Sequence, residues 1–408
     1  MTTGWARWEF QNPFRTLKHA NFRLLWTGEL VRSSAQWMDI VTRGFLVLEL
    51  TGSATHLAAV NAVRGAPLLL FGLLGGLLAD RMDRKRLLMA SQGVNITANL
   101  AIGVLVLTGG VQLWHVYLTA VLIGVSMSVN APARQSTLPS LVPAADLQGA
   151  VVLNTSTLNI GQAVGPIIGG VAVGLVGIGG SYFVQAAMFG VASLLIRRLR
   201  LPEQLPRERE RWRDSARDGL RYLRRHHLLP GLLLISTVPA LLVQPFRGVV
   251  PAIATQEMGL DPARTGLLMA AFGAGALVSV VLLASLPPVR RPGRRIVIAS
   301  VTSSLAIATF ALSGTFAAAT AALFVGGLLQ ANLRTLTQSL VLSDTEDAYR
   351  GRIASLWVVN RGTMPIGSAL LAALTVVVSP GDAVAVMSVV AAVAAVLIGA
   401  RAVALWTR

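Results

Sequence analysis

Apolar residues in this chain come in runs of membrane length, not in the short alternating or helical stripes of a soluble domain. Hydropathy places helix centres near residues 37, 67, 97, 122, 164, 189, 241, 275, 305, 326, 365 and 392, each run about 20 to 25 residues long. Short polar or Gly/Pro breaks separate them at 51–55, 80–86, 108–110, 139–146, 177–180, 257–264, 287–295, 343–351 and 379–382. The pattern predicts an all-α polytopic membrane protein with 12 transmembrane helices.

The longest polar stretch lies near the middle of the chain, as a linker between two six-helix halves would. The expected organisation is a terminal segment over 1–20, a six-helix bundle over 21–198, a basic linker over 199–227 and a second six-helix bundle over 228–405. At an offset of 202 residues, Asn130 falls on Asn332, Gly149 on Gly351 and Gly165 on Gly367. With equal span counts, this favours a duplicated architecture with a binding site between the halves near the bilayer midplane. Within the linker, Trp212, Ala216, Leu220 and Leu223 recur at helical spacing while arginines occupy the other faces. An interfacial helix held by anionic lipid and a solvated charged linker both fit this pattern.

Composition narrows the function. Of 408 residues, 54% are hydrophobic and 13% charged, and mean hydropathy is +0.64, which argues against a water-soluble enzyme. The absence of Cys removes disulfides, iron–sulfur clusters and thiolate nucleophiles, and the five His are scattered, so neither metal nor cofactor is expected. The net charge of +17 could suggest a nucleic-acid partner. However, 29 of the 35 Lys and Arg fall in loops on one side of the predicted spans, against Arg264 alone on the other and five inside spans. This bias accounts for the charge as topology and puts both termini in the cytoplasm. The first 20 residues lack a short apolar core followed by a small-residue cleavage site, so no removable signal peptide is expected.

The first span carries the most chemistry. Glu29, Arg32, Gln36, Asp39 and Arg43 repeat at spacings of 3, 4, 3 and 4, which puts all five on one helical face. Such a face cannot meet lipid and lines a cavity or pairs inside the bundle. Asp39, near the centre of the span, is the candidate for reversible protonation, with a static Asp39–Arg43 pair as the alternative. Glu29 and Arg32 read as a gate or local pair, and Glu49 as interfacial. Further candidates for a net-positive substrate cavity are Asn61 and Arg64 in span two, Gln244 and Arg247 in span seven, and Arg361 in span eleven. Arg64, Arg247 and Arg361 have no obvious acid in their own helices. They would suit an anionic substrate, or would snorkel or bond backbone carbonyls. Trp26, Trp37, Phe45 and Trp357 could stack on a planar substrate but fit packing equally well. The prolines at 67, 132, 239, 245, 251 and 365 mark expected bends.

Two motifs carry a family resemblance. The turn from Gly76 through Asp80, Arg81, Arg84 and Lys85 resembles the loop motif G-x-L-A-D-R-x-G-R-K of the major facilitator superfamily, with Asp83 where Gly is commoner. In span five, Gly161, Gly165, Pro166, Gly169 and Gly170 are similar to the G-x-x-x-G-P-x-x-G-G signature of the superfamily's antiporters. The stretches 22–26 with 48–53, 131–143 and 219–223 resemble the bacterial exporter subgroup that includes enterobactin and macrolide efflux proteins. The first motif implies a cytoplasmic gate that closes against the start of span eleven near Gly351 and Arg352. Physically, the same turn also reads as a topology determinant that includes one acid. The glycines at i, i+4 and i+8 form a ridge for close helix approach, expected against span eight with Gly266, Gly273 and Gly275. As pure packing this needs no transport role; the antiporter reading comes from the resemblance.

Together these readings imply a secondary exporter of a small amphipathic molecule (a drug, siderophore or secondary metabolite) by proton antiport with alternating access. The expected setting is the bacterial inner membrane, with protons as coupling ion, lipids as neighbours, and a monomeric protein. An uncoupled facilitator or lysolipid-type flippase of the same fold is the alternative within transport. An intramembrane enzyme would need a nucleophile and base paired in the bilayer, and a receptor or scaffold would need a sizeable extramembrane domain. The chain shows no pattern for either.

Overall fold

The computed structural model describes residues 13–201, 221–223, 226, 228–285, 291–346, 349 and 362–401; the side chains of 13, 70–81, 284 and 342 lie outside that description. The expected linker contacts, the start of span eleven, Arg361 and Trp357 therefore fall largely or wholly outside it. The main helices are α1 (Ala20–Thr51), α2 (Ala54–Arg81), α3 (Arg84–Leu107), α4 (Leu113–Thr137), α5 (Leu147–Arg197), α6 (Leu229–Val238), α7 (Pro262–Ser285), α8 (Pro292–Ala311), α9 (Phe316–Asp344), α10 (Met364–Leu374) and α11 (Pro380–Arg401). α5 is two spans in one, broken where Gly177 adopts φ 73° and ψ 176°. Beyond α6 the seventh span continues as π-helical turns at Pro239–Val243 and Ile253–Glu257 around a 3-10 segment at Gln244–Gly248. Pro239, Pro245 and Pro251 in this stretch lack the N–H that an α-helical ladder needs.

Eight of the described helices are long and apolar enough to cross a membrane. α1 misses that criterion because of its charged face, although its 32 residues reach about 48 Å at 1.5 Å per residue. Every residue with positive φ among those described is a glycine: Gly52, Gly109, Gly177 and Gly259. All four sit on turns at the end remote from the basic loops, where short connections force a left-handed residue that only glycine adopts without strain. The two ends are called here the basic end and the far end.

The halves repeat one packing scheme. In the first, α1 packs on the front part of α5, α2 on α4, and α3 on the back part of α5. In the second, the seventh span packs on α10, α7 on α9, and α8 on α11. Gly165 and Gly367, the pair matched in sequence, each meet the first helix of their own half: a Cβ at Gly165 would strike Ser34 and Trp37, and one at Gly367 would strike Leu241 and Pro245. The two six-helix bundles join along α5 with α7 and along α2 with α10. Their far ends interlock. Val41 and Ala58 share an apolar cluster with Val243, Phe246, Val250 and Phe310, and Ala252 sits among Leu46, Val47 and Leu57. Gly44 lies against Pro251 and Gly65 against Pro365. At the basic end the described clusters each belong to one bundle, around Phe22, Leu88 and Leu138 in the first and Leu229, Ile296 and Val341 in the second.

Two local devices organise the basic end. Asp83, the departure from the loop motif, is the N-cap of α3: its carboxylate accepts from the backbone N–H of Lys85 at 2.7 Å and of Arg86 at 3.1 Å. Asp146, on the turn before α5, gathers the 3-10 helix Pro13–Lys18 through His19 at 2.7 Å, Lys18 at 3.4 Å and Arg15 at 3.8 Å. The linker end also docks. Tyr222 stacks on Tyr349 with ring centroids 4.2 Å apart, and its hydroxyl accepts from the Glu346 backbone N–H.

Replacing Asp83 with Ala should destabilise the protein by about 1 kcal/mol while Asp83→Asn costs much less, read as the shift in thermal midpoint of the detergent-solubilised protein. The hydrogen bond from His19, helped by the charges of Lys18 and Arg15, holds the Asp146 carboxyl below its ordinary value against the desolvation that would raise it. A depressed carboxyl stabilises the folded state above the unfolded value near 4, and that contribution disappears as pH falls through the folded value. Hydrogen exchange over residues 13–19 should therefore stay protected from pH 7 down to about 4 and become fast only below that.

Candidate functional site

α1 brings its five polar residues to one face, and that face looks into the first bundle. Glu29 and Arg32 form a bidentate pair, with Arg32 Nη2 to Glu29 Oε1 at 2.6 Å and Nε to Oε2 at 2.7 Å. The remaining Nη1 of Arg32 donates to Gln36 at 2.7 Å. Arg134 of α4 approaches Glu29 at 3.4 Å and donates to Asn154 of α5 at 2.7 Å. One and two turns on, Asp39 bridges two guanidinium groups: Arg43 at 3.1 Å and Arg64 of α2 at 3.2 Å. Arg43 also donates to Asn61, whose amide donates to the Gly248 carbonyl at 3.2 Å and so reaches across to the seventh span. Glu29 and Asp39 are each 4% exposed. Burial at that level demands pairing, and the pairing ties α1 to α2 and α4.

Two cavities flank α1. The first, a narrow one, lies inside the first bundle among α1, α2, α3, α4 and the back part of α5, with Arg32, Gln36, Asp39 and Arg64 facing Asn95, Asn99 and Gln185. The second, also narrow, lies between the bundles and is lined by Trp37, Gln162, Pro166, Arg247, Met269 and Phe272 among others. Gln36 and Trp37, adjacent in α1, thus face different cavities. In the second cavity Arg247 donates to Gln330 at 2.9 Å, and its guanidinium carbon is 4.5 Å from the ring centre of Phe272 and 5.6 Å from that of Trp37. No carboxylate among the described residues is within ion-pair distance of Arg247. Phe272 lies ten residues into α7 from its far end, about 15 Å deep, or half the hydrocarbon thickness.

The charged face was expected to border a substrate cavity, and the structure divides the candidates. Glu29, Arg32, Gln36, Asp39 and Arg64 belong to the interior of the first bundle. Asn61 stands at the junction and Arg247 in the inter-bundle cavity. Gln244 lines neither cavity. The acid that Arg64 lacks in its own helix comes from α1. The glycine ridge also differs from expectation. Cβ atoms at Gly161, Gly165 and Gly169 would strike Ser33, Ser34 and Met38 of α1. Gly170, Pro166, Ala163 and Gln162 meet α7, at Pro262, Gly266 and Gly273, while Gly275 packs against Phe324 of α9. The i, i+4, i+8 stripe and the residues one step from it point to different neighbours, as a 100° turn per residue requires.

In the loop motif, Arg84 donates to the Ser136 carbonyl and Lys85 to the Leu199 carbonyl, both at 2.7 Å. These bonds brace the first bundle's own basic end. The side chains of Gly76, Asp80 and Arg81 lie outside the described residues, as do Gly351 and Arg352, so the expected gate contact does too. Several site residues were not singled out from sequence: Asn95, Asn99, Gln185, Gln330, Phe272, and Arg134, counted as a loop cation but buried in α4. Ser91, Asn95 and Asn99 sit at i, i+4, i+8 inside a span, the signal that could have found them.

Comparisons with known proteins agree with this architecture. The profile of the transmembrane secretion effector family, a major facilitator family, matches residues 11–406. The enterobactin exporter EntS of Citrobacter koseri is 28% identical over 356 residues, and that of Shigella boydii 27%; each alignment covers 85% of both chains. Among solved structures, a POT family transporter in complex with a thioalcohol-conjugated peptide superposes with TM-score 0.76 at 11% identity, covering 94% of this chain and 96% of that one. A bacterial homolog of the human lysosomal transporter Spinster, inward-facing and occupied, gives 0.68 at 13% identity over 97% of each chain.

Gly165→Leu should abolish or sharply reduce the yield of folded, monodisperse protein, since overpacking against backbone costs at least about 1–3 kcal/mol. Gly174→Leu, where a side chain meets open space, should behave as wild type in the same size-exclusion assay.

Proposed function

Because the chain belongs to the transmembrane secretion effector family of the major facilitator superfamily, and is a transporter rather than an enzyme, we propose that it exports a small amphipathic molecule bearing an acidic group on an aromatic frame. The cargo occupies the cavity between the bundles. The observation that carries this reading is Arg247: a half-buried cation beside two aromatic rings in an inter-bundle cavity, with a neutral amide as its hydrogen-bond partner. An acidic group would bond the guanidinium while an attached ring stacks on Trp37 or Phe272. Siderophores of the catecholate class have this chemistry, and the relatives described as enterobactin exporters support testing them first.

The proposed cycle is alternating access with proton antiport in a bacterial inner membrane, with the basic end and both termini in the cytoplasm. Asp39 is the proposed proton carrier. In the cycle it leaves one guanidinium partner, takes a proton, and returns as the bundles rock about their far-end contacts. The double pairing of Asp39 favours a second reading, in which the Arg43–Asp39–Arg64 bridge never opens and transport is uncoupled.

Everted membrane vesicles separate the two. With an inside-acid gradient, enterobactin should dissipate the gradient in wild type and fail to do so in Asp39→Asn, while counterflow of labelled enterobactin continues in both. Equal behaviour of the two proteins in both assays would establish the uncoupled reading. Arg247→Ala should weaken half-saturation by enterobactin about tenfold, the loss of one desolvated charge-assisted contact of about 1.4 kcal/mol. An unchanged half-saturation would remove Arg247 from the cargo site.

A further inference from the structure

We propose that the first bundle contains a second ligand site, separate from the cavity between the bundles, that takes a small monovalent anion. Arg32 is matched by Glu29, but the single carboxylate of Asp39 is shared by Arg43 and Arg64. Among the described residues, this Asp39 triad keeps one cation in excess, at side-chain exposures of 4% for Arg43, 11% for Arg64 and 6% for Asp39. A buried excess charge needs a counterion, because neither lipid nor a dry interior can solvate it.

The cavity beside the triad has the chemistry of such a site. Arg32 and Arg64 outnumber Asp39 along its wall, so a cation entering it would be repelled while an anion would be held. Arg64 Nε has no hydrogen-bond partner among the described residues. Gln185 is fully buried, lines the cavity, and leaves both polar atoms of its amide without a partner. Asn99, 2% exposed, lines the same cavity with its side-chain oxygen unpaired. Buried amides are rarely left unbonded. Here they surround a narrow space next to the surplus guanidinium, with room for about one water-sized particle. Gln185 can present its N–H to a ligand by rotating 180° about its terminal bond, whereas Asn99 is held by its donation to the Asn95 carbonyl at 2.7 Å. The space suits a single chloride-sized ion in direct contact with the guanidinium and the amide. α1 separates it from the inter-bundle cavity, so the site does not depend on what that cavity carries.

Equilibrium binding on the full-length, detergent-purified protein tests the proposal, using radiolabelled chloride and radiolabelled benzoate at constant ionic strength set with gluconate. Saturable binding of one chloride per chain, reduced at least about tenfold in Gln185→Glu, where the introduced carboxylate fills the role of the anion, is the expected result. Gln185→Met keeps the side-chain shape, removes the amide, and should weaken binding in the same direction. It serves as the test if Gln185→Glu does not fold. Saturable benzoate binding with the same response to Gln185 variants would contradict a space limited to one small ion and overturn the proposal. Binding of neither anion, or binding that is unchanged in the folded Gln185 variant, would overturn the proposal.

Discussion

A carboxylate in the middle of a membrane span must be matched by a cation, and Asp39 is matched by two. That bridge holds α1 against α2 through Arg64, and through Arg43 and Asn61 it reaches the seventh span of the other bundle. Breaking one partner away would leave the other uncompensated in a low-dielectric interior, which costs about 3–5 kcal/mol in comparable buried pairs. The orientation of α1 about its own axis follows from this constraint. Once Asp39 faces Arg64, Gln36 must face the first bundle and Trp37 the gap between bundles.

α1 is therefore a wall with two chemistries. One face is an ion-paired ladder from Glu29 to Arg43. Another presents Trp37 to the inter-bundle cavity, and a third lies on the glycines of α5. The glycines make this arrangement possible: with Cβ atoms at 161, 165 and 169, α5 could not approach α1 closely enough. The same residue type serves the inter-bundle seam at Gly170, Gly266 and Gly273. There the contact is smooth, without interlocked side chains, which fits the proposed rocking of the bundles.

Much of this was legible in the sequence, and the rest was hidden for a geometric reason. Apolar run lengths give the spans, and the glycines at 52, 109, 177 and 259 fall at breaks the hydropathy already shows. The spacing of Glu29, Arg32, Gln36, Asp39 and Arg43 establishes that they share a face. Periodicity describes a helix only relative to itself, however, so it could not say that this face looks into the first bundle, or that the ridge of Gly161, Gly165 and Gly169 meets α1 instead of α7. Arg64 looked unpaired because its acid lies 25 positions away on another helix. Asn95, Asn99 and Gln185 carry no charge to single them out, and only tertiary packing reveals that their amides converge on one space.

α1 separates the inter-bundle cavity, the proposed cargo site, from an ionic interior. The chain contains no cysteine, so single cysteines can report each side: Leu323→Cys or Met269→Cys in the inter-bundle cavity, and Ile123→Cys or Met127→Cys in the first bundle. Labelling by a small methanethiosulfonate would be timed with and without a saturating concentration of the proposed siderophore cargo. The account predicts that cargo slows labelling at 323 and 269 and leaves 123 and 127 unchanged. Protection confined to 123 and 127 would contradict it, placing the cargo inside the first bundle on the charged face of α1.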